Sequence, residues 1–317
     1  MKPCLLLAGF PNERQLQLKE AFPEVSFLSF EVTSFNGTDD VEAVIGLRRQ
    51  HFDAVFQPER LARMPKLRWV HAPGAGIDTY WFDGLSRTSF VMTNGKIIQG
   101  PEVSEHAVAL LLSLTRRLHW YGRGRSAAET PAPIEIYGKR ILVIGLGGIG
   151  FGIAEKLSAF GARISAVTTT LMPLASFIEH QWAFDQLHLA LPHADIVIMA
   201  APLTPLTRNC MDATSFIHMK RGAYYINVSR GGTTVLEALA TAIVSGQIAA
   251  AGLDVTDPEP LPADHPILKL DNVLVTPHKA GVSDQFAERN IQLIKTNIRL
   301  FLAGLPLQNV VDKTTGY

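Results

Sequence analysis

Cysteine is scarce in this 317-residue sequence: only Cys4 and Cys210 occur, far apart and outside any Cys-x-x-Cys or Cys/His spacing. That excludes a disulfide framework or a zinc ribbon, and it points to a reducing, cytoplasmic setting with no metal site. An excess of charge of one sign is also missing, since lysine plus arginine number 29 and aspartate plus glutamate number 29. Without a global field to draw nucleic acid or an acidic membrane, a small molecule is the better partner. Long apolar runs are absent too. The most apolar stretch, 106–114, is bounded by Glu105 and by Arg116 and Arg117, which excludes a membrane span. The opening Leu5, Leu6 and Leu7 are cut off by Pro11, Asn12, Glu13 and Arg14, too early for a leader, so they read as a first strand. No internal repeat or low-complexity tract is visible.

What is present is a chain with 47% apolar and 18% charged residues, long enough for two domains with cores of their own. Short runs of β-branched and aliphatic residues alternate with segments of helical period, the pattern of an α/β protein with parallel sheets. Strands are predicted at 4–9, 25–30, 53–56, 67–71 and 90–93. After Gly100-Pro101 a long amphipathic helix is predicted over 104–120, with Ser104 as its cap. A second series follows, with six strands at 140–144, 163–167, 195–199, 223–228, 250–255 and 273–276, the number of one dinucleotide-binding sheet. A last helix at 284–302 is too isolated to form a domain and is expected to return to the first one. The predicted fold is therefore two doubly wound parallel-sheet domains. A Rossmann cofactor domain, 101–283, is inserted in a flavodoxin-like substrate domain made of 1–100 and 284–317.

The strongest local signal is Ile141-Leu142-Val143-Ile144 running into Gly145-Leu146-Gly147-Gly148-Ile149-Gly150 and then a helix. Gly145 permits the tight turn, Gly147 lets the backbone approach a pyrophosphate and Gly150 lets helix and strand pack closely. The amides of Gly148 and Ile149 open the helix as donors. About 20 residues on, where an acidic residue would hold the ribose 2′-hydroxyl, stand Thr168, Thr169 and Thr170. Three hydroxyls and no carboxylate admit a 2′-phosphate, yet no Arg or Lys lies between Ile164 and Gln181 to pair with it. NADP and NAD both remain open, with the lean towards NADP; the threonines also suit an ordinary strand end.

Three short motifs each follow a predicted strand: Asn227-Val228-Ser229-Arg230-Gly231-Gly232, Gly252-Leu253-Asp254-Val255 running to Asp257-Pro258-Glu259-Pro260, and Thr276-Pro277-His278-Lys279-Ala280-Gly281. Strand carboxyl ends border one crevice, so Arg230, Glu259 and His278 can converge there. Reduction of a 2-oxo acid needs a fixed cation for the carboxylate and a proton donor for the carbonyl oxygen. Arg230 suits the first task with its planar fork, His278 the second, and Glu259 can orient the imidazole. Taken singly, these are equally a surface charge, a loop carboxylate and a turn residue; their order and placement join them.

With these motifs in order over nearly its whole length, the chain resembles the D-isomer-specific 2-hydroxyacid dehydrogenases, the family of glyoxylate/hydroxypyruvate reductases and phosphoglycerate dehydrogenases. Gly74-Ala75-Gly76-Ile77-Asp78 is similar to that family's substrate loop, Val103-Ser104-Glu105-His106 to its hinge helix, and Pro202-Leu203-Thr204-Pro205-Leu206-Thr207 to its cofactor loop. The resemblance implies a catalytic trio of Arg230, Glu259 and His278, with the amides of Ala75 and Gly76 joining Arg230 on the substrate carboxylate. It also implies that Pro202, Thr207, Val228, Ser229, Asp254 and His278 border the cofactor, and that the chain forms a homodimer through the helix from Ser104. The substrate implied is a small 2-oxo or D-2-hydroxy acid, glyoxylate or hydroxypyruvate first. Thr168 departs from the acidic residue of the NAD-specific members, Gly148 from a common Arg and Lys279 from a common aliphatic residue; no regulatory C-terminal extension is expected. Two other readings keep the cradle: a nucleotide-sensing protein like the family's corepressors, which needs no intact trio, and a phosphite or formate dehydrogenase, the latter pairing its histidine with Gln where Glu259 stands here.

Overall fold

The computed structural model describes residues 2–30 and 38–315. Two compact units divide the chain, one made of Met1–Gln99 with Ser283–Tyr317 and the other of Gly100–Val282.

The first unit runs β1 (Cys4–Ala8), α1 (Asn12–Ala21), β2 (Ser26–Ser29), β3 (Val41–Gly46), α2 (Arg49–Val55), α3 (Pro58–Leu61), β4 (Trp69–His71) and β5 (Val91–Thr93). Its sheet has the order β2-β1-β3-β4-β5, all parallel, the flavodoxin-like winding. Strand β1 is apolar throughout because both faces are covered. Leu5 and Leu7 pack with Leu18, Phe22, Ile291 and Ile294 on one face, while Leu6 and Ala8 meet Phe52 and Val55 on the other. The strand predicted at 53–56 is instead the end of helix α2, and the central strand is β3, which ends seven residues before it. Phe52 and Val55 lie three apart, a spacing that a helix buries on one face, and a short apolar run carries too little period to decide.

The second unit runs α4 (Gly100–Thr115), α5 (Leu118–Tyr121), β6 (Arg140–Ile144), α6 (Gly148–Ser158), β7 (Arg163–Thr168), β8 (Ile178–Ala183), α7 (Leu187–Ala190), β9 (Ile196–Met199), α8 (Ala213–His218), β10 (Ala223–Asn227), α9 (Leu236–Val244), β11 (Ile248–Leu253) and β12 (Val273–Val275). Helix α10 (Phe286–Leu302) follows, in the first unit. The seven-stranded parallel sheet, β12-β11-β10-β9-β6-β7-β8, contains one strand more than the six predicted. The addition is β8, an edge strand whose sequence, Ile-Glu-His-Gln-Trp-Ala, exposes Glu179 and His180 and so lacks an apolar signature. Direction of winding reverses between β6 and β9, the switch point at which doubly wound sheets bind ligands.

The long helix also departs from expectation. It begins at Gly100 rather than Ser104, because Pro101 lacks the N–H that a first turn leaves unpaired. Ser104 is no cap: its hydroxyl donates to the Pro101 carbonyl at 2.9 Å and accepts from Lys156 Nζ at 2.8 Å. The helix ends at Thr115, and Arg117, at φ 63°, turns the chain into α5.

A buried polar chain crosses the first unit. Trp69 Nε1 donates to Thr93 Oγ1 at 2.9 Å, that hydroxyl meets His71 Nδ1 at 2.9 Å, and His71 Nε2 meets Asn290 Oδ1 at 3.2 Å. A neutral ring with its proton on Nε2 satisfies every member. Burial pulls His71 down to about 4, against the opposing bond from Asn290. Between its ordinary value and 4, the unfolded chain therefore binds a proton that the fold refuses, and stability falls as pH falls through that window. A shift of this size corresponds to about 2 to 3 kcal/mol lost by roughly pH 4.5. Urea unfolding at neutral pH and at that acidic pH should show the loss in the wild type and a smaller one in His71→Gln; equal losses would remove His71 as the cause.

Candidate active site

The glycine turn sits at the switch point. Gly145, at φ 92°, donates its amide to the Val167 carbonyl at 2.7 Å, and a Cβ there would lie 2.6 Å from Ala201 backbone atoms. At Gly150 a Cβ would stand 1.8 Å from the Gly145 carbonyl oxygen, so helix α6 can approach the strand end only without a side chain. Gly147 differs: a Cβ built on it meets nothing within 4 Å. Gly147 also supplies no side-chain cap to α6, which leaves the first-turn amides of Gly148, Ile149 and Gly150 facing that space. Open room beside uncapped donors at a helix N-terminus fits a pyrophosphate. Thr168 closes β7, and its hydroxyl donates to the Thr170 carbonyl at 3.2 Å. In the 202–207 loop, Thr207 donates to the Pro202 carbonyl at 2.6 Å and accepts the Thr204 amide at 2.8 Å, which folds the loop on itself.

Strands β10, β11 and β12 are adjacent and end in register, Asn227 beside Leu253 and Leu253 beside Val275. The three motifs therefore leave the sheet side by side. Asn227, fully buried, shapes the first of them. Its Oδ1 accepts the Ser229 amide and hydroxyl, each at 2.9 Å, while its Nδ2 reaches Thr234 Oγ1 at 3.0 Å. Thr233 adds a 2.7 Å bond to the Arg230 carbonyl, and the guanidinium is steadied by Nη1 donating to the Ser229 carbonyl at 2.8 Å.

Asp254 organises the other two. Its carboxylate accepts from Thr276 Oγ1 at 2.6 Å and from the amides of Lys279 and Ala280, each at 2.9 Å; His106 Nε2 lies 3.4 Å away. Burial opposes the charge, yet the bonds from His106, Thr276 and those amides outweigh it and hold Asp254 below the usual carboxylate range. The turn so fixed presents His278 at φ 53°, a left-handed conformation rare outside glycine. Its amide donates to the Asp254 carbonyl at 2.9 Å. Nδ1 of His278 meets Glu259 Oε2 at 2.9 Å, with both side chains partly open to solvent, at 38% and 40% exposure. With Nδ1 committed to the carboxylate, Nε2 is left to face a reactant.

Sequence reasoning singled out Arg230, Glu259 and His278, and they leave three neighbouring strand ends. Sequence reasoning gave no role to the residues that hold them: Asn227, Thr276, His106 and Gly231, which lie inside the quoted motifs, and Thr233, which lies just beyond one. A Cβ on Gly231 would lie 2.0 Å from the Thr256 carbonyl, so this glycine sets how closely the Arg230 turn meets the loop that carries Glu259. In the other unit, the 74–76 loop follows β4, and the Ala75 amide donates to Gln99 Oε1 at 2.8 Å. Among the described residues, no group of three or more His, Cys, Asp or Glu is placed to hold a metal ion, and no helix is long and apolar enough to cross a membrane.

Comparison with known proteins gives a consistent result. Residues 108–280 match the model of the D-isomer specific 2-hydroxyacid dehydrogenase NAD binding domain. A glyoxylate reductase of Thermofilum pendens is 30% identical over 291 residues, covering 86% of this chain and 82% of the relative. A D-3-phosphoglycerate dehydrogenase of Mycobacterium leprae is 34% identical over 269 residues, 81% of this chain, which spans about half, 49%, of that longer protein. Among solved structures, a D-isomer specific 2-hydroxyacid dehydrogenase from Xanthobacter autotrophicus Py2, in complex with NADPH and MES, superposes with a TM-score of 0.84 at 28% identity over the full length of both chains.

Proposed function

Because this chain belongs to the D-isomer specific 2-hydroxyacid dehydrogenase family, whose members are NAD(P)-dependent oxidoreductases, we propose that it reduces a small 2-oxo acid, glyoxylate or hydroxypyruvate, to the corresponding 2-hydroxy acid, of D configuration where the product is chiral. The observation that carries this reading is the 2.9 Å pair of His278 Nδ1 and Glu259 Oε2 beside the braced turn of Arg230. A reduced nicotinamide, when held there, would supply the hydride for the carbonyl carbon. Arg230 grips the carboxylate of the acid, which orients the carbonyl. His278 delivers a proton from Nε2 to the carbonyl oxygen as that oxygen becomes a hydroxyl, and Glu259 holds the ring by its Nδ1. The balance is one 2-oxo acid, one reduced nicotinamide and one proton to one 2-hydroxy acid and one oxidised nicotinamide. Gly145, Gly147, Gly148, Ile149 and Gly150 would hold the pyrophosphate, with Pro202, Thr207, Val228 and Ser229 bordering the rest. The turn of Asp254 supports the same side.

Our reading extends to NADPH as the preferred reductant, supported by the lack of a carboxylate at Thr168 and by the NADPH bound to the Xanthobacter relative. Oxidation of NADPH and NADH with glyoxylate, hydroxypyruvate and other 2-oxo acids tests both claims. Turnover with glyoxylate or hydroxypyruvate is expected to be fastest with NADPH; binding of nucleotide without consumption of any acid would favour a sensor instead. Thr168→Asp should repel the 2′-phosphate and move the preference towards NADH by about tenfold. An unchanged ratio would mean that position 168 does not read the ribose. A homodimer in the cytoplasm completes the proposal, supported by the family and by the exposed Leu118 and Tyr121 that follow α4; light scattering measures the mass.

A further inference from the structure

The loop from Pro73 to Gly76 is held by its carbonyls. Asn290 Nδ2 donates to the Pro73 carbonyl at 3.2 Å, the Gly95 amide donates to the Gly74 carbonyl at 2.9 Å, and Asn94 Nδ2 donates to the Ala75 carbonyl. Asn94 is itself fixed, since its Oδ1 accepts the Lys96 amide at 3.1 Å, and Asn290 belongs to the buried chain through His71. In a planar trans peptide the C=O of one residue and the N–H of the next point in opposite directions. The Gly74 carbonyl, drawn to Gly95, therefore turns the Ala75 amide of the same peptide plane to the opposite side. A backbone amide is a donor that an anionic oxygen can use. The Ala75 amide already has an acceptor there, the side-chain carbonyl of half-buried Gln99, at 2.8 Å. An amide oxygen at hydrogen-bond distance occupies the position that a carboxylate oxygen would take.

We propose that Gln99 is an internal surrogate for the substrate carboxylate: it fills the acceptor position of the 74–76 loop when no acid is bound, and each acid must displace it to bind. The proposal rests on the reading of this loop as the carboxylate site of a 2-oxo acid reductase. Its consequence is a threshold on affinity. A neutral amide oxygen yields to a charged carboxylate, whose hydrogen bonds are stronger, but poorly to a neutral carbonyl compound, so Gln99 favours acids over aldehydes and ketones.

Gln99→Ala removes the competitor, and Gln99→Asn shortens it out of reach. Each should lower KM for glyoxylate by about three- to tenfold, the worth of one neutral hydrogen bond, with kcat little changed. Gln99→Glu keeps the acceptor but adds a negative charge beside the incoming acid, and should raise KM by about tenfold or more. Oxalate, an unreactive dianion titrated by calorimetry, should follow the same order of affinity without turnover. If the wild type binds oxalate and reduces glyoxylate while Gln99→Ala binds oxalate no tighter, the surrogate role is overturned and the proposed activity stands. If the wild type reduces no 2-oxo acid and does not bind oxalate, the activity falls and the surrogate role falls with it.

Discussion

Replacing His278 with alanine should lower kcat by about 10²- to 10⁴-fold, the range that general acid catalysis supplies, while NADPH still quenches or enhances fluorescence at the wild-type concentration. The reason lies in the ring's two nitrogens. Glu259 holds Nδ1 at 2.9 Å, so Nε2 is the atom left for the proposed proton transfer, and alanine provides neither. Because the backbone at 278 is left-handed, alanine also strains the turn, whereas asparagine tolerates that region. His278→Asn therefore separates the effects: it should be as slow as the alanine variant with a more stable fold. Turnover near the wild-type rate in the asparagine variant would remove the imidazole from the mechanism.

Gly231→Ala should be nearly as damaging, although position 231 carries no functional group. A methyl there would stand 2.0 Å from the Thr256 carbonyl and 2.6 Å from the Asp257 amide, backbone atoms that cannot rotate away. The Arg230 turn and the loop bearing Glu259 must then separate. A misplacement of about 1 Å in such a site costs about 10²-fold, and kcat/KM should fall by at least that much. Overpacking should also lower stability by about 1 to 3 kcal/mol. The glycine turn at 145–150 follows another strand, so nucleotide titration should show affinity falling far less than kcat/KM, the loss being confined to contacts of the Arg230 turn. If kcat/KM survives within a few-fold, the spacing between the two loops is not what orients the trio.

How far the sequence could be read depended on how much of each signal was local. The cradle was legible because strand, Gly145-Leu146-Gly147-Gly148-Ile149-Gly150 and helix are contiguous, and a missing Cβ is a property of one residue. Strands β1, β6 and β9 were legible because burial on both faces demands continuous apolar runs. Strand β8 was not: at the sheet edge it needs few apolar residues, and its identity comes from pairing with β7. The segment 53–56 carried four residues with no period, and packing of Phe52 and Val55 beneath the sheet made it helical.

The sequence by itself determined the family of folds, the place of the glycine turn and the candidacy of Arg230, Glu259 and His278, since each is written in a short stretch whose order along the chain suffices. Only the tertiary structure decided which groups brace them, because Asn227 with Ser229 and Thr234, Asp254 with Thr276 and Lys279, and Ala75 with Gln99 are tied by hydrogen bonds whose geometry arises when strands end side by side or loops close. Hydrogen bonds depend on separations of a few tenths of an ångström and on direction, and neither is encoded by composition or period.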